Sequence, residues 1–286
     1  MIMPIFRFTT YENALEILRL QALPISNPKY FNDPFDSRAA VDDNDQEAIR
    51  LSRTWPSVPI TIGVCGRYGN PYAQEIKKYN KLLNDVMNNA DIPEIERWRI
   101  ASFSRQRDWG KYILMWSLYA DSHKGVMFEF SDEFENFLKN KYEFLDVKYD
   151  KERVMITFKD SLDDRIIKER RKEALTVKST AWDYEKESRL IIPAESFLNG
   201  SDNNLYNGQF KGEIRDLLRV KPEWISKVYC GAMMSDEKKL EISKAADDKS
   251  IECVKLRLCA VKYELHDFKT NANSLSGSDS SCRYQG

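Results

Sequence analysis

Two acidic residues separated by a single position are the clearest candidates for chemistry in this chain. Glu185 and Glu187 lie in WDYEKESRL (182–190), whose alternation predicts an extended strand with both carboxylates on one face. Paired carboxylates can orient ribose hydroxyls and stabilise an oxocarbenium-like centre, as in the cleavage of a glycosidic bond. The alternative is an exposed edge strand whose charges discourage aggregation.

Two hydroxyls follow the same alternation earlier in the chain. In ASFSRQR (101–107), Ser102 and Ser104 are predicted on one face of a strand and Phe103 on the other. A hydroxyl pair on a buried face suits a sugar or an active-site carboxylate. Both serines are therefore candidate site residues.

A third candidate is an aromatic stripe in MWSLYADSHKG (115–125), which the pattern predicts to be a helix. Trp116, Tyr119 and His123 are then spaced i, i+3 and i+7 and share one face. Two aromatic rings and an imidazole can stack a flat ring and hydrogen-bond its edge. With helical spacing alone, such a stripe is more often part of the core, with the histidine bonded to a neighbouring backbone group.

Two further segments are polar without an obvious reaction. In FNDPFD (31–36), the Asn, Asp and Pro residues predict a structural turn, flanked by Phe31 and Phe35 as apolar anchors. A long helix is predicted over 160–178, and its basic residues form a local cationic patch that could contact nucleic-acid phosphates. Glutamates inside the patch are more typical of a solvated helix face. The basic residues are Arg165, Lys168, Arg170, Arg171 and Lys172.

Composition limits the partners and the compartment. The 286 residues carry a net charge of -1, which gives the whole molecule no bias toward nucleic acid or anionic membrane. No apolar run approaches the roughly 18 to 20 residues of a membrane helix, and no signal peptide is recognisable, so we expect a cytoplasmic protein without membrane contact. The five cysteines show no close pairing in sequence, which fits a reducing compartment. With only two histidines in the sequence, we do not expect a metal site built on imidazoles.

The elements that must position these residues alternate irregularly between helix and strand. This pattern favours an α+β fold over a doubly wound sheet, and we expect one domain over 1–268 with a mixed or split antiparallel sheet flanked by helices. The stretch 199–207 reads as a surface loop. Residues 269–286, rich in Ser, Asn and Gly, are predicted to be a flexible tail.

Taken together, these motifs resemble the bacterial family called domain of unknown function 2971. An NDPF turn, an SFS strand, an MW..YA..H.G helix and a W.YE.E.R strand occur here in that order, over about 1–190. The resemblance implies family membership and no reaction by itself.

A more remote resemblance concerns three of the same positions. Arg7 in an N-terminal strand, Ser102-Phe103-Ser104 and Glu185-Lys186-Glu187 are similar to the arginine, Ser-x-Ser and Glu-x-Glu signature of one class of ADP-ribosyltransferases. That class binds NAD in a split-sheet cleft. Phe103 departs from the usual threonine of the signature.

Carried over residue by residue, this resemblance implies roles toward NAD as substrate. Glu187 would hold the nicotinamide ribose 2′-hydroxyl and stabilise the oxocarbenium ion, Ser102 would orient Glu187, and Glu185 would position the acceptor. Arg7 would pair with an NAD phosphate, and Ser104 would join the NAD-binding residues. Trp116, Tyr119 and His123 have no counterpart in the signature and would wall the nicotinamide or adenine pocket.

Two other functions fit the same resemblance. One is hydrolysis of NAD, in which water replaces the acceptor. The other is a non-catalytic module on the same fold that binds nucleic acid or protein, with 165–178 as its contact. By analogy at the level of fold, a transferase of this kind would act as a toxin or phage-defence effector on a nucleic-acid or protein acceptor.

Overall fold

A computed structural model of the protein describes residues 4–54, 72–87, 95–106, 113–198 and 200–267, and the tail predicted at 269–286 lies outside them. The described residues combine α-helices with a mixed eight-stranded sheet, which confirms the predicted α+β class. No helix in these ranges combines the length and apolar composition needed to cross a membrane.

Contacts between residues group the chain into two compact units. Unit 1 comprises Met1–Ser26, Arg99–Asp146 and Asp183–Gly286. Unit 2 comprises Asn27–Trp98 and Val147–Trp182.

The α-helices of the described residues are short. They are α1 Tyr11–Leu20, α2 Gln46–Thr54, α3 Ala73–Met87, α4 Ile113–Tyr119, α5 Asp132–Lys141, α6 Asp164–Glu173 and α7 Asp236–Asp247. The strands are β1 Ile5–Thr9, β2 Ala22–Ile25, β3 Ala40–Val41, β4 Trp98–Ser104, β5 Val126–Phe130, β6 Glu143–Asp146, β7 Lys148–Asp150, β8 Met155–Ile156, β9 Val177–Ser179, β10 Glu187–Pro193, β11 Leu205–Phe210, β12 Glu213–Arg219, β13 Ile225–Cys230, β14 Glu252–Leu258 and β15 Leu265–Asp267.

The main sheet of unit 1 has the strand order β15-β14-β13-β5-β1-β4-β10-β6. The central pairs β13/β5, β5/β1 and β1/β4 are antiparallel, and β13/β14 is parallel. A smaller three-stranded sheet has the order β11-β12-β2. The candidates Arg7, Ser102, Ser104 and Glu187 lie on β1, β4 and β10, which are neighbours in the main sheet.

Alternation along the strands divides the main sheet into two buried faces. One face carries Ile5, Phe128 and Val228 and packs in one core with residues of α1, α5 and α7; we call it the three-helix face. The opposite face carries Phe6 and Met127 and packs against Trp116 of α4; we call it the α4 face. The two faces therefore offer different surroundings to polar residues.

Residues with a side-chain hydroxyl precede three of the helices. Thr10 caps α1 by accepting a hydrogen bond from Asn13 N at 3.3 Å, and Ser235 caps α7 by accepting one from Lys238 N. Ser131 precedes α5 as its N-cap residue. Thr10 and Ser235 suit these positions because Ser and Thr side chains satisfy backbone N–H groups at a helix start, whereas Ser131 makes no such side-chain bond.

Two predictions about where a helix or a loop begins and ends are wrong. The α-helix within the predicted 160–178 is limited to α6, because Asp163 caps its start and the chain continues after Glu173 as a 3₁₀ helix, Ala174–Thr176, that leads into β9. The loop predicted over 199–207 ends early, because Leu205 begins β11 and pairs with β12.

Candidate functional site

The paired carboxylates lie on a turn followed by a strand. A 3₁₀ helix spans Thr180–Glu185, Lys186 has a left-handed backbone (φ 45°), and β10 begins at Glu187. Lys186 N donates to Asp183 O at 3.3 Å, which closes the turn. The prediction that Glu185 shares an extended strand with Glu187 is therefore wrong, because the strand begins only at Glu187.

The end of β4 holds this turn. Ser104 is buried, and its Oγ donates to Glu185 O at 2.7 Å. Arg105 N donates to Lys186 O at 2.9 Å. The structure thus brings Ser104 to the Glu-x-Glu segment, where its hydroxyl contacts backbone.

The Glu185 side chain is buried and accepts a hydrogen bond from a residue of the aromatic motif. Tyr119 Oη donates to Glu185 Oε1 at 2.5 Å. Glu185 keeps only 4% of its surface exposed. Hydrogen bonds to ionised groups in such surroundings are stronger than neutral ones. Two separately predicted motifs therefore form one polar cluster.

Glu187 has a different partner. Its carboxylate receives Arg189 Nε at 2.7 Å and Arg189 Nη2 at 3.0 Å, a bidentate arrangement between two buried side chains. Both lie on the α4 face, because Leu190 and Ile192, at the alternate positions of β10, belong to the three-helix face. Sequence reasoning did not assign Arg189 a role, although its i+2 spacing from Glu187 in W.YE.E.R was a usable signal.

The aromatic stripe is formed by a turn as well as a helix. Since α4 ends at Tyr119 and residues 121–123 have positive φ, the prediction that His123 shares a helical face is wrong. His123 N instead donates to Trp116 O at 3.1 Å, and the two rings stack with centroids 6.3 Å apart. Burial lowers the pKa of His123.

Trp116 faces the core. It is fully buried and meets the edge of Phe8 at 5.2 Å between ring centroids. His123 Nε2 lies 3.2 Å from Ser117 Oγ. Among the predicted stripe residues, Tyr119 reaches a carboxylate of the Glu-x-Glu segment with its hydroxyl group.

Two other candidates are not brought to the carboxylates by any contact in the described ranges. Ser102 is exposed. Arg7 pairs in register with Phe128 and lies on the three-helix face, with its guanidinium carbon 5.8 Å from the Phe103 ring centroid. Arg7 Nη2 donates to Pro24 O at 2.9 Å, and burial lowers the pKa of Arg7 to about 10.

The NDPF segment lies in unit 2 and forms the predicted turn. Asp33 Oδ1 accepts a hydrogen bond from Phe35 N at 2.9 Å. Phe35 is 62% exposed, so its predicted role as an apolar anchor is wrong. Asp36, at the end of the segment, is buried and forms an ion pair with Lys178 at 3.5 Å.

Several charges of the basic patch are balanced within unit 2. Arg165 pairs with Asp163 at 2.8 Å, and Arg170 pairs with Glu173 at 3.0 Å. The Lys172 ammonium lies 5.8 Å from the Trp98 ring centroid. In the described ranges, no group of three or more His, Cys, Asp or Glu side chains is arranged to hold a metal ion.

Comparison with known proteins finds a match to a family model that includes two of these motifs. Residues 115–190 match the family model described as Protein of unknown function (DUF2971), which confirms the predicted family resemblance over that segment. The match begins at the aromatic motif and ends in the Glu-x-Glu motif, whereas NDPF and SFS lie outside it. No curated protein and no solved structure matches the chain.

Proposed function

We propose, from the DUF2971 match over 115–190 together with the site's geometry, that the chain is an NAD-consuming enzyme of the ADP-ribosyltransferase type. The observation that carries the proposal is the hydrogen bond from Tyr119 to Glu185, because it joins both ends of the matched segment at a buried carboxylate. Glu187 follows two residues later on the sheet, fixed by Arg189.

The reaction needs negative charge beside a sugar. When the bond between nicotinamide and ribose breaks, its electron pair leaves with nicotinamide, and positive charge develops on the ribose C1′ and ring oxygen. A carboxylate held rigidly in a water-poor site stabilises this charge without reorganising at the moment of reaction. Burial and fixed partners give Glu185 and Glu187 these properties.

We change some of the roles that the ADP-ribosyltransferase resemblance implied for the residues around the two glutamates. We assign Glu187 to the ribose and the oxocarbenium charge, with Arg189 as its positioning residue in place of Ser102. Glu185, positioned by Tyr119, is assigned to the incoming nucleophile, whose proton it accepts as the new bond to C1′ forms. Arg7 has no role in this proposal because it lies on the opposite sheet face.

The first test is nicotinamide release from NAD by the purified protein and by Glu187→Gln. We expect release to fall by at least 100-fold in the variant, the scale on which electrostatic stabilisation acts. Glu195→Gln, at an exposed position of the same unit, is the matched control and should retain parental activity. Thermal unfolding of each protein shows whether it is folded.

Glu187→Gln leaves the Arg189 charge buried, so a second variant separates catalysis from folding. The double substitution Glu187→Gln with Arg189→Met removes both charges and is expected to fold but release no nicotinamide. A folded double variant with parental release contradicts the proposal. Absence of NAD turnover by the parent does the same and favours a binding module.

Transfer and hydrolysis are distinguished by Glu185→Gln. If an acceptor is modified, this variant should lose transfer more than hydrolysis, because water is small and abundant and needs less positioning. Mass spectrometry of the products separates free ADP-ribose from an ADP-ribosylated acceptor. Equal loss of both products contradicts the role assigned to Glu185.

A further inference from the structure

Unit 2 contains a cavity of about 200 Å³ that the proposed NAD chemistry does not use. Its lining includes Phe35 and Asp36 of the NDPF segment, together with Arg38, Arg153 and Lys178. These residues come from distant parts of the sequence, so the cavity is a product of the fold. Its volume is below the range typical of drug-sized ligands and suits a smaller molecule.

One pair of charges in the lining is already balanced. Lys178 and Asp36 are both buried and lie 3.5 Å apart. The Lys178 ammonium also lies 5.0 Å from the Trp182 ring centroid. This part of the wall therefore contributes a fixed ion pair and little net charge.

Two guanidinium groups add positive charge to the same wall. Arg153 Nη2 donates to the backbone oxygen of Arg38 at 3.2 Å, which places the two residues side by side. The pKa of Arg153 is lowered mainly by burial and, to a smaller extent, by the positive charge of Arg38. The negative charge of Asp33 acts in the opposite direction and raises this pKa. The two arginines therefore repel each other, Asp33 offsets this repulsion in part, and a bound anion would relieve the remainder.

Arg153 also has an unused donor. Its Nε is buried and has no hydrogen-bond acceptor in the part of unit 2 that the structure describes. Buried guanidinium donors without an acceptor carry a desolvation cost, which an oxyanion can remove through two parallel hydrogen bonds.

The acidic residues of the lining have contacts of their own. Asp33 Oδ1 accepts a hydrogen bond from Phe35 N, and Asp150 is paired with Lys148 at 2.9 Å. Glu152 and Lys151 are exposed and of opposite charge. The charges left over are those of Arg38, Arg153 and Asp33, whose sum is positive and favours an anion.

We propose that this cavity is a binding site for a phosphate group, held by Arg38 and Arg153. Phe35 is 62% exposed, and its ring centroid lies 5.3 Å from the Arg153 guanidinium carbon. An exposed ring beside the cavity offers a surface on which a flat group attached to the phosphate can stack. The inference is independent of the NAD chemistry, since all these residues belong to unit 2.

The test measures binding of inorganic phosphate to the full chain by calorimetry, with chloride at matched ionic strength as the reference. We expect Arg38→Gln to weaken phosphate binding about tenfold. Arg153→Lys should weaken it similarly, because lysine keeps the charge but cannot present a guanidinium fork. Lys168→Gln removes an exposed charge from α6 and should bind like the parent.

Two further probes identify the source of the phosphate. If AMP binds more tightly than ribose 5-phosphate and Phe35→Ala abolishes this difference, the natural ligand is a nucleotide. If inorganic phosphate and both esters bind with equal affinity, the site recognises the phosphate group alone. The site is disproved if the parent does not distinguish phosphate from chloride, or if Lys168→Gln weakens binding as much as Arg38→Gln. Thermal unfolding confirms that each variant is folded.

Discussion

Tyr119 donates its hydroxyl hydrogen to Glu185 Oε1 at 2.5 Å, although 66 positions separate the two residues. The bond joins the last residue of α4 to the turn that precedes β10. Both residues lie in unit 1, within the segment that matches the family model. A tyrosine on one motif thus positions a carboxylate of another.

Replacing Tyr119 with Phe removes this bond while preserving the ring. We expect the free energy of unfolding to fall by about 1–3 kcal/mol, because Glu185 is buried and loses a donor. Urea denaturation measures the change. Tyr263→Phe is the control, since Tyr263 is 91% exposed and its substitution should change stability by less than about 0.5 kcal/mol.

The same variant tests whether Tyr119 positions Glu185 for catalysis. In nicotinamide release, kcat should fall while KM for NAD changes little, since the phenol acts through Glu185 and is not assigned to bind NAD. A loss of stability no greater than that of Tyr263→Phe would show that the hydrogen bond contributes little. Unchanged kcat in a folded Tyr119→Phe protein argues against a positioning role.

The bidentate pair of Glu187 and Arg189 should behave as a unit. Arg189→Met alone leaves the Glu187 charge in a buried site, and we expect about 3–5 kcal/mol of destabilisation. Adding Glu187→Gln removes the second charge and should recover part of that loss. Urea denaturation of both single variants and the double variant gives the coupling energy. Additive effects would contradict a direct interaction.

Parts of the fold that depend on local signals could be predicted from the sequence. Thr10 and Ser235 cap helices, and the alternation of Ile5 and Phe6 assigns them to opposite sheet faces. The end of α4 was not predictable in this way, because the left-handed backbone at 121–123 is occupied by residues other than glycine. Nor did the polar pattern of β11 indicate its pairing with β12.

The sequence predicted which residues form the candidate site better than it predicted their hydrogen-bond and ion-pair partners. Glu185 and Glu187 are buried near the end of β4, but each is paired with a residue that the Ser-x-Ser signature did not indicate. Spacing in sequence defines which strand face a side chain occupies, whereas the contact with Tyr119 depends on how α4 packs against the sheet. That packing is a tertiary property.

A pH-dependent contribution to stability is expected from Asp202. Burial would raise the pKa of this carboxyl, but hydrogen bonds from Lys141, Tyr142 and Asn204 outweigh it and lower the pKa to about 2. Because the folded-state pKa lies below the ordinary value of 3.8, the contribution is present above about pH 4 and is lost as pH falls toward 2.

Asp202→Asn should therefore reduce the free energy of unfolding by about 2 kcal/mol at pH 7, since one pKa unit corresponds to about 1.4 kcal/mol. The difference from the parent should shrink as pH is lowered from 4 to 2. Urea denaturation across this range measures it, with Asp248→Asn at an exposed helix end as control. A difference independent of pH would contradict the assignment.

Cys230 and Cys253 should differ in reactivity although their Sγ atoms lie 3.7 Å apart on neighbouring strands. A hydrogen bond from Cys230 lowers the pKa of Cys253 despite its burial, and Ser243 contributes in the same direction. The same contact, together with burial, raises the pKa of Cys230. The thiolate is the reactive form, so iodoacetamide should label Cys253 at lower pH than Cys230.

Two substitutions at Cys230 test the cause of this difference. Cys230→Ala removes the donor and should move half-labelling of Cys253 to higher pH, whereas Cys230→Ser retains a donor and should leave it closer to the parental value. Peptide mass spectrometry after timed labelling at each pH gives both profiles. If alanine and serine shift the Cys253 profile equally, the hydrogen bond from Cys230 is not what lowers its pKa, and Ser243 or the positive charge of Lys255 must be responsible.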